Sequence, residues 1–283
     1  MSVPLLNGSG CLDALTAPDV AKRLDAFVTK TITPLPREGS PSPRIAETEH
    51  GMLNSIGLQG PGIEAFVATV LPQLAALGVP LWVSVGGFSA DDFSEMCVRL
   101  DDQQAVDTIE LNLSCPNVDE APETAAELVA AARASTSKKL FAKLSPSTGN
   151  IAESARALVA AGADGLTLVN TIRGLALDPR TLRPKLARAT GGYSGPALKP
   201  VALACVFACA EAVDVPIVGL GGVQTGGDAL ELLAAGASVV ALGTVLFADP
   251  SAPTRIRAEL AAEAGRHGFP QPSDARGVAR KTA

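Results

Sequence analysis

Histidine is almost missing from this chain, with two in 283 residues. The five cysteines contain no C-x-x-C pair, so no recognisable ligand set exists for zinc or an iron–sulfur cluster. Being odd in number and irregularly spaced, they form no disulfide framework either. An excess of basic residues is also lacking. A net charge of −6 and a pI near 5.0 argue against nucleic acid as the main partner, because phosphate binding needs a basic face. The apolar stretch from Leu232 to Phe247 is broken by Gly236 and Gly243 and falls short of the roughly 18 apolar residues of a membrane span. The opening MSVPLLNGSG has neither the basic start nor the apolar core of a secretory signal. These absences predict a cytoplasmic protein with no metal, no membrane and no nucleic acid.

What is present is a hydrophobic fraction of 47%, ample for a large core. Short apolar runs fall at 3–8, 25–32, 80–86, 107–113, 139–144, 165–170, 215–220 and 238–242. They are continuous rather than alternating, as strands buried on both faces are. Helical stretches fit between them at 64–77, 89–100, 123–135, 150–162 and 226–236, several ending at a glycine. Eight strands alternating with helices predict an α/β protein, a single-domain (β/α)8 TIM barrel; that fold commonly takes roughly 250 residues. The barrel domain is placed at 1–265 and a poorly ordered C-terminal tail at 266–283. Two connections, 33–63 and 171–200, are rich in Gly and Pro and read as long active-site loops after strands 2 and 6.

Chemistry in such a barrel sits at the C-terminal ends of the strands. The residues there include Ser9, Lys30, Ser84, Asn112, Lys143, Asn170, Gly221 with Gly222, and Gly243 with Thr244. Lysines at strand ends suit an anionic ligand or a developing negative charge, or else they snorkel to solvent. Glycines after strands seven and eight let backbone N–H groups approach a phosphate, though tight turning alone also uses them. Cys115, in a turn restrained by Pro116, is placed for proton transfer near those ammonium groups. Cys205 and Cys209 lie four apart on an apolar helix and read as core; Cys11 and Cys97 show no chemistry.

The stretches TKTITPLPREGSPSPR (29–44), GMLNSIGLQGPG (51–62), ELNLSCPNV (110–118), AKLSP (142–146), VNTIRGLALD (169–178), GGYSGPALKP (191–200) and GLGGV (219–223) resemble the class 1 dihydroorotate dehydrogenases. These are FMN-dependent barrels of pyrimidine biosynthesis. The resemblance runs from residue 7 to 250, and cysteine rather than serine at 115 points to class 1. It implies that Cys115 takes a proton from C5 of dihydroorotate while hydride passes from C6 to the flavin. Lys143 would stabilise charge on the reduced ring, and Lys30 would touch flavin and substrate together. Asn54, Asn112, Asn117, Asn170 and Thr171 would hold the orotate ring. Ser9, Gly10, Thr31, Asn112 and Gly195 would contact FMN, with Gly221, Gly222, Gly243 and Thr244 at its phosphate.

The stretches at 171–182 and 191–200 look more like class 1B. That implies a homodimeric core with a partner subunit carrying FAD and an iron–sulfur cluster, while class 1A would reduce fumarate. Arg173, Arg180, Arg183, Lys185 and Arg188 are then either a docking face or a solvated surface. The segment DEAPETAAEL after the cysteine loop is shorter than usual. Remaining alternatives are a dihydropyrimidine dehydrogenase-like oxidoreductase, a flavin-binding barrel without turnover, and a flavin-free phosphate-binding lyase or isomerase.

Overall fold

The computed structural model describes residues 3–113 and 124–280. Cys115 and Asn117 lie outside the described residues. In chain order the strands among them are β1 (Leu5–Asn7), β2 (Phe27–Val28), β3 (Ile45–Thr48), β4 (Gly51–Asn54), β5 (Leu81–Val85) and β6 (Val106–Asn112). They continue as β7 (Lys139–Leu144), β8 (Gly165–Leu168), β9 (Ile172–Leu175), β10 (Thr190–Ser194), β11 (Ile217–Leu220) and β12 (Val239–Leu242). Eight of them form one parallel sheet in the order β1-β12-β11-β8-β7-β6-β5-β2. A parallel bridge from Leu6 to Ala26 brings its two edges together. The result is a nearly closed TIM barrel, and each of its strands coincides, to within one residue, with part of an apolar run of the sequence.

Because successive side chains in a strand point to opposite faces, the strands present one face to the helices and the other to the barrel interior. Leu5, Val83, Ile109, Leu111, Leu140, Leu166 and Val240 belong to the large core under the helices. Leu6, Val28, Phe141, Val218, Leu220 and Ala241 form the barrel interior, with Trp82 and Val239 packed on it. The rings of Trp82 and Phe141 meet at 4.6 Å. Gly165 makes room for Phe141, since a Cβ there would collide with that ring.

Helix boundaries follow local chemistry. Ser89 and Asn150 accept from backbone N–H groups three residues on, starting helices Ala90–Asp101 and Ile151–Ala160. Thr124 with Glu127 and Thr225 with Asp228 form capping boxes before Ala125–Ala134 and Gly226–Ala235. The helix expected at 64–77 is present over Ile63–Ala75 with a π turn at Phe66–Val70. Pro72 has no N–H to give to the fourth residue before it, which disfavours a regular α ladder there.

Two expectations are corrected. The long connections are not loops throughout: β3, β4, β10 and β9 pair in that order as an antiparallel sheet over the barrel. Its glycines, read as loop signals, are places where backbones meet. A Cβ at Gly51 would strike the Ser194 carbonyl, and one at Gly192 would strike Thr171. Nor is the chain after Arg266 poorly ordered up to residue 280. Ala275 is fully buried, Gly277 N–H donates to the Leu233 carbonyl at 2.9 Å, and Arg280 donates to the Ala210 carbonyl. These anchors are backbone carbonyls of distant helices, so the sequence pattern carries no trace of them.

Candidate active site

Asn112 ends β6 directly opposite Lys143 of β7, and Lys143 in turn is opposite Thr167 of β8. All three project into the barrel near its C-terminal rim. The Asn112 amide donates to Thr31 Oγ1 at 3.1 Å, and the Thr31 and Ser84 hydroxyls are 3.0 Å apart. The Asn170 amide donates to Asn112 Oδ1 at 3.2 Å, while its own Oδ1 accepts from Thr171 N–H at 2.8 Å. Thr171 packs on Gly192, whose carbonyl accepts from the Asn54 amide at 3.3 Å. Asn54, Asn112, Asn170 and Thr171, far apart in sequence, thus form one polar ladder linking the barrel to the antiparallel sheet.

The Lys143 ammonium, 5% exposed, donates to Ser9 Oγ at 2.8 Å and lies 3.7 Å from Glu110 Oε1. Lys30 passes beside Gly10, where a Cβ would stand 3.8 Å from its chain. Burial pushes the Lys30 ammonium below its ordinary value, opposed by the nearby Cys11 and reinforced by Arg44. Cys11, which the sequence leaves without a role, faces both lysines. Its thiol is pushed up by burial although Lys143 and Lys30 pull it down. The other free thiols outside the site are core residues: Cys97 and Cys209 are buried, and desolvation pushes both up to about 12. Glu110 is a second group that sequence reading missed. A carboxylate inside a strand expected to be buried on both faces was the available signal.

On the other side of the rim the strand ends are glycine turns. Gly221 and Gly222 have φ of +131° and +77°, and a Cβ on Gly222 would lie 2.6 Å from the Lys199 nitrogen that begins helix Lys199–Ala212. Lys199 is held by Asp228 at 2.7 Å and Glu231 at 2.9 Å; the bond to Asp228 raises it above its ordinary value despite partial burial. Lys199 therefore ties two helices together behind the turn and is not a free cation. Gly8 and Gly243 both lie against the Leu220 side chain, so the turns after β1, β11 and β12 converge. Thr244 follows Gly243 at the start of Val245–Ala248. Gly195, with φ of +116°, sits against Gly51 at the edge of the antiparallel sheet. No cluster of three or more metal-ligating side chains is found among the described residues, and no helix there is long and apolar enough to cross a membrane.

A buried lysine, a half-buried one, an amide ladder and glycine turns thus share one rim of the barrel. The dihydroorotate dehydrogenase family profile matches residues 1–263. A Listeria welshimeri protein, dihydroorotate dehydrogenase B (NAD(+)), catalytic subunit, is 43% identical over 91% of this chain and 88% of its own length. Its namesake from Pelobacter propionicus is 44% identical over 89% and 86%. A solved DHODH of Eimeria tenella superposes with a TM-score of 0.82, at 25% identity, over 100% of this chain and 89% of that one. The chain belongs to the dihydroorotate dehydrogenase family.

Proposed function

We propose that this chain oxidises dihydroorotate to orotate in pyrimidine biosynthesis, using FMN. The observation that carries the reading is the division of one rim into the Asn54–Thr171–Asn170–Asn112 ladder with Lys143 and Lys30, and the glycine turns at 221–222 and 243. Amides offer both donors and acceptors to a ring of alternating N–H and C=O groups. The turns, free of side chains, leave backbone N–H groups for a phosphate, and the described residues therefore fit FMN. Ser9, Gly10, Lys30, Thr31, Asn112, Lys143 and Gly195 would surround its ring and ribityl chain, and Gly221, Gly222, Gly243 and Thr244 its phosphate. When bound, FMN supplies the acceptor for the hydride that leaves C6 of the substrate.

This chain's own residues do the rest. Cys115, as thiolate, takes the proton from C5, so that the C5–C6 double bond forms as hydride departs. Asn54, Asn112, Asn117, Asn170 and Thr171 orient the ring, and Lys30 lies beside it. Lys143 supplies a fixed positive charge where negative charge accumulates, an effect strongest in a site shielded from water. The curated relatives are named as NAD(+)-linked catalytic subunits. This sequence has no G-x-G-x-x-G and no C-x-x-C, so we assign NAD+ reduction to a partner subunit carrying FAD and an iron–sulfur cluster. Arg173, Arg180, Arg183 and Arg188 are exposed around the β9–β10 connection and offer that partner a basic face. A homodimeric core and a cytoplasmic location belong to the same reading.

The test is anaerobic mixing of the FMN-loaded chain with dihydroorotate while flavin absorbance is followed. Rapid bleaching with dihydroorotate but not with dihydrouracil is expected. A chain that stays yellow with dihydroorotate overturns the proposal.

A further inference from the structure

Glu110 stands in β6 between Ile109 and Leu111, both fully buried under the helices. Its own side chain, 3% exposed, projects the other way, into the barrel, one inward position below Asn112. Its Oε1 is buried without a hydrogen-bond partner, and Lys143 Nζ lies 3.7 Å from it. That separation is an ion pair, not a hydrogen bond; the directional bond of the ammonium goes to Ser9 Oγ at 2.8 Å. Beside Lys143 on the next strand, Thr167 Oγ1 is likewise buried and unpartnered.

Such a pair is a poor device for stability. Both charges are desolvated and the geometry returns no hydrogen bond, so an apolar pair of equal volume would serve the fold as well or better. The arrangement has a different consequence. A lysine withdrawn from water sheds its proton unless a negative charge lies close. Among the described residues the other titratable groups at this spot do not provide one: Lys30 is a second cation, and burial pushes the Cys11 thiol up. Glu110 is the carboxylate the barrel interior places beneath Lys143.

We propose that Glu110 is a positioning residue that keeps Lys143 an ammonium at the strand-end layer, ready for negative charge on a reduced flavin. The flavin part rests on the function proposed above; the charge pairing does not.

The pairing is tested in the flavin-free chain by trace acylation with acetic anhydride near neutral pH, read by peptide mass spectrometry. Only an unprotonated amine attacks the anhydride. Glu110→Gln, which keeps shape and removes charge, should speed acylation of Lys143 by about tenfold or more, with exposed Lys139 as the unchanged internal standard. Glu110→Asp should stay near the parent rate. Equal Lys143 rates in the parent and Glu110→Gln, with unchanged melting, overturn the pairing.

The flavin part is read from the FMN midpoint potential. Glu110→Gln should lower it in the parent background and leave it unmoved when Lys143 is already Met. The same shift in both backgrounds overturns action through Lys143. A parent chain that never takes up FMN overturns the flavin reading, while the acylation rates still decide the pairing.

Discussion

Two stretches of the same barrel wall end in opposite ways. Strands β5 to β8 close with side chains: Ser84, Glu110, Asn112, Lys143 and Thr167 point inward, and Asn170 follows on the rim. Strands β11, β12 and β1 carry Val218, Leu220, Val239, Ala241 and Leu6 inward and close with Gly221, Gly222, Gly243 and Gly8. The first wall ends in polar side chains, most of them satisfied by the chain of bonds from Ser84 through Thr31 and Asn112 to Asn170, because a buried polar atom without a partner is costly; Glu110 Oε1 and Thr167 Oγ1 are left without one. The second acts through backbone, and its inner face is free to be plain core. A ring that must be oriented suits the first wall, and a phosphate suits the second. One fold therefore holds two kinds of strand end side by side, because strand ends are positioned by the sheet whatever residue closes them.

Substitutions on either wall test this division. The largest effect is expected at Cys115. Cys115→Ser should retain FMN and slow flavin reduction by dihydroorotate roughly 10²–10⁴-fold, and undiminished bleaching in stopped flow would remove the base assignment. On the apolar wall, Leu6→Ala should cost about 2–5 kcal/mol of stability by denaturant unfolding while the flavin of the folded fraction is reduced at the parent rate. A reduction rate that falls with stability there would dissolve the contrast between the walls. Lys143→Ala should slow flavin reduction in the folded fraction by roughly 10²-fold, as lost electrostatic stabilisation does, in addition to the stability lost by leaving Glu110 without its buried partner.

Smaller effects sharpen the comparison. Thr167→Val removes a buried hydroxyl that has no partner and should stabilise the flavin-free chain by about 1 kcal/mol, read as a raised melting temperature. Lys30 contributes a pH slope. Its value is depressed by burial from 10.5, so the unfolded chain binds more protons between the depressed value and 10.5. Stability should rise with pH across that window, the burial penalty being full below it and gone above it. Lys30→Met should flatten the slope in unfolding curves taken at stepped pH; an unaltered slope would show that Lys30 is not its source.

The eight barrel strands were legible because a strand buried on both faces needs a continuous apolar run, which is a local property of the chain. The strand-end residues were legible for the same reason: once the strands are placed, so are their ends, and Lys143, Asn112, Asn170 and the glycine pairs could be named from position. The resemblance of ELNLSCPNV and its companions pointed to Cys115 and Asn117, which fall outside the described residues. Tertiary structure alone decided the rest. The β3-β4-β10-β9 sheet pairs segments about 140 residues apart, and its glycines read as loop until the opposing backbone is seen. The chain after Arg266 docks on helix carbonyls that no side-chain pattern announces. Glu110 and Cys11 become neighbours of Lys143 only when the barrel brings them together. Periodicity records how one segment meets water and core, whereas an ion pair or a backbone contact depends on what another segment brings to the same place.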